Sequence, residues 1–170
     1  MTDTTSQAQT SAYLRRKHFA VLSTSDATGV PASAGVSYGA SPADLVIYVM
    51  TRRHQQKARN IAQNPQVSLG VPVARRLGFV PPATLQLRGT AELLEWTDPG
   101  GTTVFQHFWM GRRILQGYRR SHRAGEHRIC FIRVTVDPVV HTYMLGTSLW
   151  QIWRRMESGA DRVVLDRPGR

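Results

Sequence analysis

Cysteine is all but missing from this chain: Cys130 is the only one among 170 residues. That excludes an intrachain disulfide and any site built from several thiolates. Cys130 lies in the apolar run Ile129 to Val136, where a small buried hydrophobe is the expected role. Lysine is also scarce, present only at Lys17 and Lys57. Acidic residues are few as well, 11 against 22 Lys plus Arg, for a formal charge of +11. Such a balance favours an anionic partner, whether a polyanionic small molecule, an acidic surface or nucleic acid. No apolar run approaches the roughly 20 residues that a helical membrane span needs. The opening MTDTTSQAQTS has no apolar signal core, so the expected compartment is the cytoplasm, with no membrane partner. Histidines are scattered, and neither an H-E-x-x-H motif nor a nucleophile elbow occurs, so no metal site is expected.

What is present is organised around 44–73, DLVIYVMTRRHQQKARNIAQNPQVSLGVPV. Leu45 to Met50 is apolar and β-branched, which predicts a buried strand. After the polar, basic 51–55, residues Ala58, Ile61 and Ala62 fall at helical spacing, and Pro65 closes the helix. Val67 to Val73 is a second apolar run. Lys57 and Arg59 therefore stand in the first turns of a helix that follows a strand. There the free backbone N–H groups and the helix dipole attract anions, and Thr51 adds a hydroxyl. The arrangement suits a phosphate, although on spacing alone a solvated basic helix face is the commoner reading.

Elsewhere the chain alternates strands and turns. Phe19 to Ser25 and Ala32 to Tyr38 read as a hairpin around Asp26-Ala27-Thr28-Gly29. Residues 71–82 read as a loop, and Thr84 to Trp96 as a long strand kinked near Gly89. Thr97-Asp98 predicts a helix cap, with Val104, Phe105, Phe108 and Trp109 on the apolar face. Arg112 to Arg128 shows little periodicity and reads as a frayed helix end followed by a basic loop, with no nucleic-acid motif beside it. Ile129 to Val136 is a strand, broken by Asp137-Pro138 and resumed from Val139 to Leu145. Ser148 caps a short helix with Leu149, Ile152, Trp153 and Met156 on one face, and Gly159 to Arg170 reads as a loose end. Strands outnumber helices about two to one and are joined by short turns. The fold class is therefore mainly β (α+β), an antiparallel barrel with peripheral helices.

Four stretches in this order resemble the split-barrel flavin-binding superfamily of pyridoxamine 5'-phosphate oxidase and the flavin/deazaflavin oxidoreductases. They are FAVLSTSDATGVPASAGVSY, DLVIYVMT, KARNIAQNPQVSLGV and LQLRGTAELLE. The resemblance covers about Phe19 to Val136. It implies an antiparallel split β-barrel spanning 13–158, between tails at 1–12 and 159–170. It implies a homodimer with a phosphate-bearing cofactor, coenzyme F-420 (a deazaflavin) or flavin mononucleotide (FMN), in a groove at the subunit interface. By position, Lys57 matches the phosphate-binding lysine, with Arg53 and Arg59 in reach. Met50 and Thr51 match the strand end that touches the cofactor, and Ser33, Gly35, Val36 and Ser37 match the strand along the ring and ribityl chain. Ala34 and Gly39 stand where true pyridoxamine-phosphate oxidases carry an arginine and a lysine, and Gln56 stands just before the helix lysine. These departures turn the expectation from vitamin B6 oxidation toward the deazaflavin branch, whose polyanionic coenzyme suits an arginine-rich groove. The expected activity is hydride transfer to or from a small conjugated substrate, with no nucleic-acid partner. The alternative is a non-catalytic flavin- or haem-binding carrier or sensor, and a third reading is an anionic-polymer binder using Arg112 to Arg128.

Overall fold

A computed structural model describes residues 10–41, 45–73, 83–143 and 160–164. The loop at 74–82 and the helix expected from Ser148 lie outside the described residues. A short helix, α1 (10–16), leads into the hairpin of β1 (Phe19–Ser25) and β2 (Pro31–Ala40). Asp26 closes that hairpin: its Oδ1 accepts from the Thr28 and Val30 amides at 2.9 and 3.0 Å, and Gly29 takes the left-handed φ of 88° that the turn requires. Then follow β3 (Val46–Arg52), α2 (Gln56–Gln63), β4 (Gln66–Val73) and the long β5 (Ala83–Glu95). Helices α3 (Pro99–Gln106) and α4 (Trp109–Arg123) precede β6 (Ile129–Val136), β7 (Val139–Tyr143) and β8 (Ala160–Val164).

The strands pair in the order β4-β1-β2-β3-β6-β5, and a β4–β5 pairing closes them into an antiparallel barrel. Strand β5 pairs with β4 over Ala83–Thr90 and with β6 over Gly89–Glu95, so its middle serves two neighbours. Gly89 marks that crossing, because a Cβ there would run into the Thr135 carbonyl oxygen. The expected kink near Gly89 is thus a close approach of two backbones. β6 breaks at Asp137-Pro138, and β7 resumes along the same side of β5, with β8 beyond it. Residues 160–164 are therefore a paired strand and not part of a loose end. Helix α1 likewise begins at residue 10, inside the stretch read as a tail.

Alternation along the strands divides the core in two. Leu22, Tyr38, Ile47, Val49, Leu69, Leu85, Leu87, Ile132 and Val134 fill the barrel and are essentially fully buried. Each such aliphatic side chain contributes roughly 1.5–3 kcal/mol by leaving water. Tyr48, Met50, Ile129 and Phe131 point outward and are covered by Val104, Phe105 and Leu115 of α3 and α4. Asp98 caps α3 as the sequence predicts, its Oδ2 accepting from the Gly101 amide at 2.8 Å. Two expectations fail here. Arg112 to Arg123 is helical throughout, the later part of the 15-residue α4. Trp109 is 59% exposed and does not pack in the core.

Candidate functional site

The β2–β3 pairing runs only from Tyr38↔Val49 to Ala40↔Ile47. Toward its start β2 pairs with β1 alone, and β3 from Met50 to Arg52 pairs with β6 alone. Two strand edges thus part below Tyr38, which is the split in the barrel. The chain from Thr51 to Lys57 leaves β3 at this opening. Thr51 is fully buried, and its hydroxyl donates to Gln55 Oε1 at 2.8 Å. Lys57 Nζ donates to the same oxygen at 2.7 Å. Gln55 precedes α2 without a side-chain cap, and the first turn holds no acidic residue. Desolvation holds the half-buried Lys57 ammonium below the ordinary lysine pKa, with the nearby Cys130 acting in the opposite sense. Lys57 therefore presents a cation stripped of part of its water, at an uncapped helix start. The only acceptor described for it is one amide oxygen.

The other expected site residues separate into two groups. Ser33 and Gly35 are exposed on the outer face of β2 and Ser37 is half-buried; Ser33 Oγ lies 3.0 Å from Ser23 Oγ, and the Phe19 ring lies against Gly35. Arg53 donates to Glu95 Oε1 at 2.6 Å, and Arg59 is exposed and bonded to Gln56 Oε1 at 2.8 Å. Val36 and Met50 do not belong with them as side chains. Alternation turns Val36 into the barrel core, and Met50 lies beneath α3 and α4. Either can offer a ligand only its backbone. Cys130 is fully buried, and burial pushes its thiol up to about 11, so it is an inert core residue.

The structure adds a feature that the sequence reading missed. A cavity of about 330 Å³ lies where α1, the end of β2 and the α3–α4 corner meet. Arg15, Arg16, His18 and His107 line its polar side, and Val104 and Phe108 its apolar side. The His18 ring stacks on Phe108 at 3.8 Å, and its Nδ1 lies 3.3 Å from the Tyr38 carbonyl oxygen. Burial lowers the His18 pKa below 6.5. Gly39 forms part of the wall, and a Cβ there would overlap Val104 Cγ1. A lysine at this position of β2 would have to displace the Val104 side chain of α3. Only the local run YLRRKH signalled these residues in sequence, because the cavity joins elements far apart in the chain.

A closed antiparallel barrel split between its second and third strands, with helices outside it, defines the split-barrel fold. The sequence profile of the pyridoxamine 5'-phosphate oxidase family matches residues 6–137, and the chain belongs to that family. No curated protein matches it in sequence. Among solved structures it is similar to HutZ, the haem storage protein from Vibrio cholerae, at 17% identity and a TM-score of 0.61, over 79% of this chain and 92% of that one. It is similar to the General Stress Protein 26 from Bacillus anthracis at 20% identity and TM-score 0.54, over 80% and 92%. A haem binding protein from Mycobacterium smegmatis matches at 15% identity and TM-score 0.65, over 91% of this chain and 56% of that one. These likenesses show a shared fold.

Proposed function

We propose that this protein is a homodimeric oxidoreductase that holds a phosphate-bearing flavin or deazaflavin at the barrel split. The observation that carries the reading is Lys57: a partly desolvated ammonium at an uncapped helix start, beside two unpaired strand edges. A phosphate there would replace Gln55 Oε1 as acceptor and give Lys57 the countercharge it lacks. Gly35 lies about 13 Å along β2 from Gly39, at roughly 3.3 Å per residue. A ring system laid on the outer face of β2 would thus run from the split toward the Arg15–His107 cavity. The cavity suits a small substrate with a negatively charged group. Bound there, the cofactor supplies the hydride chemistry, while Lys57 and Thr51 anchor its phosphate and Arg15 and Arg16 orient the substrate. The missing basic side chain at Gly39 supports the deazaflavin coenzyme over FMN. The exposed apolar residues Phe19 and Val21, on the outer face of β1, support pairing with a second copy.

Calorimetric titration of FMN and of the deazaflavin coenzyme into wild type and Lys57→Ala tests this. A charge-assisted bond contributes roughly 1.5–3 kcal/mol, so the variant should bind about tenfold to a hundredfold more weakly. Unchanged affinity would leave α2 as a solvated basic helix. One observation favours a second reading. His18 and His107 share a cavity with two arginines, a set that suits the iron and the propionates of a haem. A haem spectrum that His18→Ala abolishes would select this carrier reading.

A further inference from the structure

We propose that the exposed face of α4 is a docking track for the phosphodiester backbone of a nucleic acid. Arg112, Arg113, Arg119, Arg120 and Arg123 are all exposed. At about 100° per residue they fall within an arc of roughly 120°, and at 1.5 Å per residue they span about 17 Å. Gly111 and Leu115 are buried on a face centred about 120° from the middle of that arc, so the orientation of the stripe is fixed by packing. The helix WMGRRILQGYRRSHR contains no acidic residue. Arg112 donates to the Gln106 carbonyl at 3.1 Å, and Arg113 lies over the Trp109 ring at 5.3 Å. Among the described residues, Arg119, Arg120 and Arg123 have no ion pair.

Charge complementarity selects the occupant. A helix face lined with unneutralised guanidinium groups matches an array of phosphates, and the planar fork of arginine can grip two oxygens of one phosphate. A lipid surface fits less well. Exposed apolar residues on α4 occur only at its start, Trp109 and Met110, so the length of the stripe offers nothing to insert between acyl chains. The expectation of no nucleic-acid partner rested on the absence of a nucleic-acid motif beside a stretch read as a frayed helix end and a basic loop. As a helix, the same arginines share one face.

Fluorescence anisotropy with labelled single- and double-stranded oligonucleotides of mixed sequence, titrated with the full chain between 50 and 200 mM salt, tests the proposal. Each phosphate contact contributes about −0.7 (single strand) or −0.9 (duplex) to the slope of log K against log salt. Three to five contacts therefore predict a slope of roughly −2 to −4.5. The triple variant Arg119→Ala/Arg120→Ala/Arg123→Ala should flatten that slope by about 2 to 3 and weaken binding at least tenfold. The triple lysine variant should keep the slope. Both should retain the wild-type melting temperature and cofactor affinity, which separates this surface from the barrel site. The oligonucleotide bound more tightly at matched salt identifies single strand or duplex as the source of the phosphates. No oligonucleotide binding at 50 mM salt, or an unchanged slope in the alanine variant, would overturn the proposal. So would tighter binding to phosphatidylserine vesicles than to either oligonucleotide.

Discussion

Gly39→Ala isolates the contact that strips β2 of its basic side chain. An alanine Cβ would overlap Val104 Cγ1, lie 3.1 Å from Phe108 Cε1 and 3.7 Å from Phe105 Cδ2. Neither partner yields easily. β2 is in register here, Gly39 opposite Tyr48, so the strand cannot slide. Val104 is a buried, β-branched residue of α3 with one strongly preferred rotamer. Glycine to alanine in a strand ordinarily stabilises by roughly 0.5–1 kcal/mol through the unfolded chain. Overpacking of this kind costs about 1–3 kcal/mol and reverses the sign. Net of that gain the loss is up to about 2.5 kcal/mol, and in a chain of this length 1 kcal/mol moves the melting temperature by roughly 2–4 °C, so a fall of up to about 10 °C is expected. Adding Val104→Ala should recover part of the loss, with a coupling energy above roughly 0.5 kcal/mol for side chains in contact. Differential scanning calorimetry of the two single variants and the double variant measures it. A Gly39→Ala protein that melts at or above wild type would refute the steric argument. The absence of lysine from β2 would then have no structural cause.

Gly89→Ala should cost more than Gly39→Ala, because the Cβ meets the Thr135 carbonyl and backbone cannot rotate away; a smaller fall in melting temperature would contradict this. His18 makes stability sensitive to mild acid. The unfolded chain takes up this proton near 6.5 and the folded protein only at lower pH, so stability is whole above pH 6.5 and lost as pH falls below it. Urea midpoints between pH 5 and 8 should show that loss in wild type and less of it in His18→Gln. Lys57 acts at the other end. Desolvation lowers its pKa from 10.5, so phosphate-bearing cofactor should dissociate on raising pH before an ordinary lysine titrates, and Lys57→Ala should lack that alkaline loss of affinity.

The barrel was legible in sequence because its hairpins carry local signals. Asp26 and Gly29 announce the first turn, and Asp137-Pro138 announces the β6–β7 break. The run from Val46 to Met50 is apolar because it is covered on both faces, by the barrel on one side and α3–α4 on the other. α4 was hidden for a physical reason. Gly111 and Gly117 depress helix propensity and few apolar residues mark the buried face, while the periodic signal is carried by arginines. β8 was hidden because ADRVV is half polar, and pairing with β7 stabilises it. Around the expected site, Lys57 and Thr51 are joined through Gln55. Resemblance aligns backbones and does not say which face a side chain takes, so it did not show that Val36 and Met50 turn into the two cores. The Arg15–His107 cavity and the crowding at Gly39 arise from contacts between α1, β2 and α3, which no local pattern encodes.

The most direct measurement of the central claim is the absorption spectrum of the purified protein after incubation with equimolar FMN, deazaflavin coenzyme and haem, followed by gel filtration. The account predicts that the deazaflavin chromophore, or failing that FMN, elutes with the protein at the mass of a dimer, and that Lys57→Ala elutes with far less of it. A haem Soret band retained equally by wild type and Lys57→Ala, with no flavin absorbance, would contradict it.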